Sequence, residues 1–252
     1  MSRDDVYDKH VGDLLIEQFF YWHKVAVVLV CRYNEQEVRE MYNIRRYVVG
    51  FVQENCYFIS NANKETLIID PGDQGEQLIK ELRKANLKPV AILLTHAHFD
   101  HIGAVDDIRT AFTIPVYVHQ NEAKWLGSPS LNGSGKYREI PDVTAHDADE
   151  FFSKEGNMTI GSFTFDVRHT PGHSPGSVSF VFEDQGFAIV GDTLFKGSIG
   201  RTDLLDGNMK VLVQSIDEKL LSLDEDMIIY PGHGEATTVF EEMESNPFLN
   251  GF

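Results

Sequence analysis

The sequence predicts a layered α/β sandwich, and three observations carry that expectation. Short apolar runs alternate with segments of helical periodicity through most of the chain. Several of the runs are apolar at every position, as in strands covered on both faces. The residues best suited to chemistry fall just past the ends of those runs, where open α/β sheets carry their sites. The 252 residues, 42% hydrophobic, suffice for one sizeable core.

Taken in order, residues 1–40 combine an apolar patch (Leu14, Leu15, Ile16, Phe19, Phe20, Trp22), the run Val25 to Cys31 and the polar Asn34-Glu35-Gln36-Glu37. They carry no ligand cluster and are expected to be dispensable, either a peripheral N-terminal extension or an upstream start that is not used, ahead of the domain of residues 41–252. Three strands follow, at Arg46 to Phe51, Asn55 to Ser60 and Thr66 to Ile69, separated by turn residues. Asp70-Pro71-Gly72 closes the third. A helix is expected from about Glu76 to Ala85, burying Leu78, Ile79 and Leu82. Next come the strand Val90 to Leu94, a ligand-rich loop, a helix marked by Ile102, Val105, Ile108, Ala111 and Phe112, and the strand Pro115 to Val118. Residues Gly127 to Glu150 are rich in Gly, Ser, Asn and Asp and read as one long loop of the kind that often contacts substrate. The remaining strands are Ser162 to Val167, Ser177 to Phe182, Phe187 to Val190 and Met227 to Tyr230, with a helix from about Met209 to Leu221 before the last.

Chemistry concentrates at the loop Thr95-His96-Ala97-His98-Phe99-Asp100-His101, which places four possible metal ligands in six positions. In extended backbone, residues two apart share a side, so His96 and His98 can converge on one ion while Asp100 and His101 lie further along. Imidazole and carboxylate donors suit Zn²⁺, Fe²⁺ or Mn²⁺. Gathering them without a cation would leave unpaired polar groups at roughly 1–3 kcal/mol each. Three later strands each end at a Gly-bearing turn presenting one further ligand: Gly172-His173, Gly191-Asp192 and Gly232-His233. The complete set is His96, His98 and His173 for one ion, Asp100, His101 and His233 for a second, and Asp192 able to bridge both.

Composition narrows the class of function. Asp and Glu total 39 against 22 Lys and Arg, a formal charge of -17, with no basic tract to attract nucleic acid or an anionic membrane. The apolar run ending at Cys31 is too short to span a bilayer, and no signal peptide is evident. The two cysteines, Cys31 and Cys56, are far apart, which fits neither a disulfide framework nor a zinc ribbon and suits a reducing, cytoplasmic setting.

From Tyr42 onward these motifs resemble the metallo-β-lactamase superfamily, and within it the short bacterial glyoxalase II-like (hydroxyacylglutathione hydrolase-like) proteins. The resemblance rests on Thr95 to His101, His173, Asp192 and His233, on Gly191-Asp192-Thr193-Leu194-Phe195, on Gly197 to Asp203, and on Asn246-Pro247-Phe248-Leu249. It implies an αββα sandwich with two divalent metal ions at one edge, Zn with Fe or Mn as alternatives, and Asp70 supporting the ligands from behind. It also implies hydrolysis of a small-molecule thioester, such as S-lactoylglutathione, by a metal-bound bridging hydroxide, with Asp100 and Asp192 as the catalytic carboxylates. Full-length glyoxalase II carries an added helical domain that helps bind glutathione, and a Lys-x-Tyr pair. This sequence has no such domain, and Arg201 and Asp203 stand at the places of that pair. Arg201 is accordingly the candidate to meet a substrate carboxylate. The Gly200-Arg201-Thr202-Asp203 segment is also similar to that of persulfide dioxygenases, which use a single iron, here at His96, His173 and Asp192.

Overall fold

The protein is described by a computed structural model covering residues 16–22, 25–31, 41–138 and 140–249. Contacts divide the chain into two units, residues 1–40 and 41–252. Within the first, β1 (Ile16–Trp22) pairs antiparallel with β2 (Val25–Cys31). Leu14 and Leu15 of the apolar patch lie outside the described residues.

The second unit holds two six-stranded sheets. In the first sheet β3 (Asn43–Val49), β4 (Glu54–Ser60), β5 (Glu65–Ile69), β6 (Lys88–Leu93), β7 (Val116–His119) and β8 (Glu150–Phe152) lie side by side in chain order. β4 runs antiparallel to both β3 and β5, and from β5 onward each neighbour is parallel. Parallel neighbours need crossovers. Helix α1 (Gly75–Lys84) supplies one, and the short α2 (Phe99–Ile102) with α3 (Val105–Phe112) supplies the next.

The second sheet contains β9 (Gly156–Ile160), β10 (Phe163–His169), β11 (Val178–Phe182) and β12 (Phe187–Gly191) as an antiparallel meander. Beyond β12, a hairpin of β13 (Leu194–Phe195) and β14 (Ser198–Ile199) stands apart. The sheet then continues through β15 (Ile228–Pro231), parallel to β12, and β16 (Thr237–Thr238).

Alternation along each strand explains the layering. Tyr57 and Ile59 of β4 pack between the sheets with Phe163, Phe165 and Phe180, while Cys56 and Phe58 face Leu78, Leu82, Val105 and Ile108 of the helices. On the second sheet, Phe180 and Phe182 point inward and Val181 outward, toward Leu212, Ile216 and Leu220. Those three belong to α5 (Met209–Ser215) and the π-helical turn Ile216–Leu220 that continues it. The order is therefore helix, sheet, sheet, helix. Each fully buried phenylalanine contributes about 1.5–3 kcal/mol.

Some expectations need correction. The first strand of this unit is Asn43–Val49, not Arg46 to Phe51, because Gly50 turns the chain at φ +66° and leaves Phe51 and Val52 outside the sheet. Residues 127–150 are not one uninterrupted loop: they include α4 (Pro129–Asn132) and a 3₁₀ turn at Ser134–Lys136, and Glu150 opens β8. Strands β8 and β9 escape periodicity because both are short, at three and five residues. The terminal helix α6 (Val239–Ser245), N-capped by the Thr238 hydroxyl, reads as polar sequence. Among the described residues no helix is long and apolar enough to cross a membrane.

Candidate metal centre

The ligand-type residues meet where β6, β10, β12 and β15 end. His96, His98 and His173 bring one ring nitrogen each within 4.8 Å of one another, as do the donor atoms of Asp100, His101 and His233. A third grouping of His96, His101 and Asp192 lies between them. The Asp192 carboxylate reaches His101 Nε2 at 3.5 Å, His173 Nε2 at 3.6 Å and His233 Nε2 at 3.6 Å. It therefore touches both expected sets.

Supporting groups fix the rings. Asp70, at φ +47°, accepts the Thr95 backbone N–H at 2.7 Å and the Thr95 hydroxyl at 2.5 Å. The same carboxylate faces His101 Nδ1 at 3.1 Å, which places the ring proton there and turns Nε2 toward the cluster. His173 Nδ1 donates to the Arg201 carbonyl at 2.8 Å, with the same consequence for its Nε2. Glycine makes the close approach possible: a Cβ at Gly232 would stand 2.2 Å from Asp192 Oδ1 and 2.9 Å from His101 Cε1.

The donor set fits cations. His96 Nε2, His101 Nε2 and Asp192 Oδ1 are buried and have no hydrogen-bond partner among the described residues. Bare donors facing one another in the interior are costly unless a cation satisfies them. Mixed imidazole and carboxylate ligation suits two divalent ions, and does not by itself select among Zn²⁺, Fe²⁺ and Mn²⁺.

Electrostatics divide the cluster. Burial and the neighbouring imidazoles push His96 well below its ordinary pKa and hold His98 at about 3. Burial also opposes a charge on His101, yet the charges of Asp192 and Asp100, with the bond to Asp70, raise it well above the ordinary value. His233 is likewise raised: burial opposes the charge, and the bond to Asp100 at 3.2 Å together with Asp192 outweighs it.

Sequence reasoning missed two buried acids. Glu122, in the 3₁₀ turn after β7, accepts the Ala97 N–H at 2.6 Å, the Ser174 hydroxyl at 2.5 Å and the Gly176 N–H at 2.6 Å. Glu54 sits behind His101, 3.8 Å from Nδ1, and burial pushes its pKa well above the usual carboxylate range. Neither stands in a ligand-like spacing, so each reads as a surface charge. Tyr57 and Asn55 were legible only as strand residues, yet their side chains hold the His233 turn through the Pro231 carbonyl, at 2.7 and 3.0 Å.

A cavity of about 500 Å³ opens over the cluster, with His98, Asp100, His173, Asp192 and His233 at its floor. Phe51, Phe99, Ile140, Phe195 and Leu204 contribute to apolar walls. Arg201 lines this cleft as expected, but its guanidinium is held by both carboxylate oxygens of Asp203, each at 2.7 Å. Tyr137 and Lys136 reach the wall from the 127–150 segment, which sequence reasoning treated only as a general substrate-contacting loop.

The metallo-beta-lactamase superfamily model matches residues 49–233, spanning every ligand-type residue above. The chain belongs to the metallo-beta-lactamase superfamily. As a member it is a metallo-hydrolase with the αββα fold and a His/Asp cluster that fits a dinuclear site. It is 51% identical over 208 residues to the probable metallo-hydrolase YqgX of Bacillus subtilis, covering 82% of this chain and 98% of that protein. It is 38% identical over 209 residues to the hydroxyacylglutathione hydrolase GloC of Haemophilus influenzae, with coverage of 82% and 98%. Among solved structures, that of the BLEG-1 B3 metallo-beta-lactamase superposes with a TM-score of 0.81 at 50% identity, covering 83% of this chain and 100% of that one.

Proposed function

We propose that this metallo-hydrolase cleaves thioesters, and specifically small hydroxyacyl thioesters such as S-lactoylglutathione. The observation that carries the reading is the place of Asp192, within 3.6 Å of imidazoles from both ligand sets at the floor of an open cleft. The likeness to GloC supports the substrate class.

Divalent cations in such a site supply Lewis acidity toward a carbonyl and lower the pKa of water to about 7. The chain's own part is to organise the reacting groups. His96, His98 and His173 would hold one cation, and Asp100, His101 and His233 the other. Asp192 would span them and, with Asp100, orient the attacking water. Addition of water to the thioester carbonyl and breakage of the C–S bond yield a carboxylate and a thiol. Because a thiol's pKa is roughly 8.5, the thiolate leaves without a dedicated acid. Apolar walls at Phe99, Phe195 and Leu204 exclude bulk water around the reacting carbonyl.

A second reading has one specific observation in its favour: the segment Gly200 to Asp203, similar to that of persulfide dioxygenases, brings Arg201 to the cleft wall. On that reading a single Fe²⁺ at His96, His173 and Asp192 would oxidise a thiol persulfide with dioxygen. Two assays on one preparation separate the readings. Thiol release from S-lactoylglutathione, with no oxygen uptake on glutathione persulfide, is the expected result. Oxygen uptake without thiol release would overturn the hydrolase.

A further inference from the structure

We propose that Glu122 is the positioning residue for the three-histidine ion site, clipping the loop of His96 and His98 to the loop of His173. The inference rests on the metal-dependent reading and identifies the side chain that sets one half of the centre.

The two loops arrive from different sheets. His96 and His98 follow β6 of the first sheet, and His173 follows β10 of the second. Their rings must meet, and His98 Nδ1 does lie 2.9 Å from His173 Nε2. Irregular backbone does not hold such a register unaided, because each free residue keeps its conformational entropy.

Glu122 supplies the constraint. One of its oxygens takes the N–H of Ala97, the residue between His96 and His98. The other takes the hydroxyl of Ser174, next to His173, and the N–H of Gly176. The two N–H bonds are 2.6 Å, and the hydroxyl bond at 2.5 Å lies in the short range of O–H···O⁻ hydrogen bonds. The side chain is fully buried, and a Cβ at Gly176 would come within 2.9 Å of its Cγ, so the carboxylate is packed in place.

Glu122 serves one ion site only. Two of its three partners adjoin that set, Ala97 between His96 and His98 and Ser174 beside His173, and none adjoins Asp100, His101 or His233. The His233 turn has its own ties, from Asn55 and Tyr57. A separate backbone bond, Val178 N–H to the Thr95 carbonyl at 2.8 Å, still joins the sheets when the carboxylate is gone. Glu122→Gln is thus expected to fold while offering an amide donor where three donors converge.

The test is retention of Zn²⁺ by the full-length holoprotein against graded chelator, with circular dichroism and Tm recorded alongside. In Glu122→Gln one ion should be weakened roughly 10–100-fold, the range seen when a group supporting a metal ligand is removed, and the other by less than about threefold. In a His233→Ala background, which leaves the three-histidine set, the remaining ion should weaken by the same factor. Ser174→Ala, removing one donor and leaving both amides, should shift that same ion by about threefold to tenfold and decides the matter if Glu122→Gln does not fold. Equal weakening of both ions with a lowered Tm, or no change at either ion in these variants, would overturn the proposal. Loss of thioester hydrolysis in the wild-type protein would leave these metal readouts intact, so the two claims fail separately.

Discussion

The two halves of the candidate metal centre are built on opposite principles. His96, His98 and His173 form a wholly imidazole set, buried and clipped by a carboxylate that accepts two backbone N–H groups and the Ser174 hydroxyl beside them. Asp100, His101 and His233 mix a carboxylate with imidazoles, and the His233 side chain keeps 27% of its surface exposed whereas His101 keeps none. Burial and neighbouring imidazoles push His96 and His98 toward the neutral form, whereas the acids beside His101 and His233 outweigh burial and push those rings toward the charged form. The difference predicts a more tightly held ion at the three-histidine set and a more exchangeable one at the mixed set.

Removing the shared member should erase the contrast. Asp192→Ala is expected to lose at least one ion outright, weaken the other and lower kcat by about three orders of magnitude or more, since several kcal/mol of barrier reduction depend on it. Steady-state thioester kinetics with metal analysis check this. Substituting one side only should expose the contrast. His233→Ala should keep one tightly held ion and lose the second, with kcat down by about two orders of magnitude. Persulfide oxidation surviving in His233→Ala and absent in Asp192→Ala would favour the single-iron reading.

Acidity should act unequally on the halves. A cation entering the second set must displace protons from His101 and His233, whose pKa values are raised, so its affinity falls as pH falls, by roughly tenfold per unit for each proton displaced. His96 and His98, already held low, release no proton near neutrality, and their ion should respond far less. Chelator competition at pH 6, 7 and 8 measures both slopes. Parallel slopes would contradict the division.

The smallest effect belongs to residues 1–40. A chain starting at Met41 should keep both ions, with kcat within about twofold, because all seven candidate ligands lie in the second unit. Loss of folding or activity would place the segment within the catalytic body.

Much of this centre was legible because metal ligands leave a dense local signature. Four donors between His96 and His101 and three Gly-bearing strand ends stand out in a chain where polar residues otherwise scatter. The layered fold was legible for a related reason: Val90 to Leu94 and Phe187 to Val190 lack a polar face, which suits strands covered on both sides. Glu122 was not legible, since its meaning lies in three partners 25 to 54 residues away along the chain. Nor was the apolar tip Phe51-Val52, which sequence reasoning assigned partly to a strand and which stands, with Phe51 67% exposed, at the cleft. The coupling of Arg201 to Asp203 was also hidden, because a bidentate pair two residues apart depends on the turn between them.

Hydrolysis at this centre is expected to need two unequal ions acting together. Metal-stripped protein titrated with Zn²⁺, with S-lactoylglutathione hydrolysis read after each addition, addresses it directly. Activity should stay near background through the first equivalent and rise with the second, which binds more weakly. Full activity at one equivalent, with no further change at two, would contradict it.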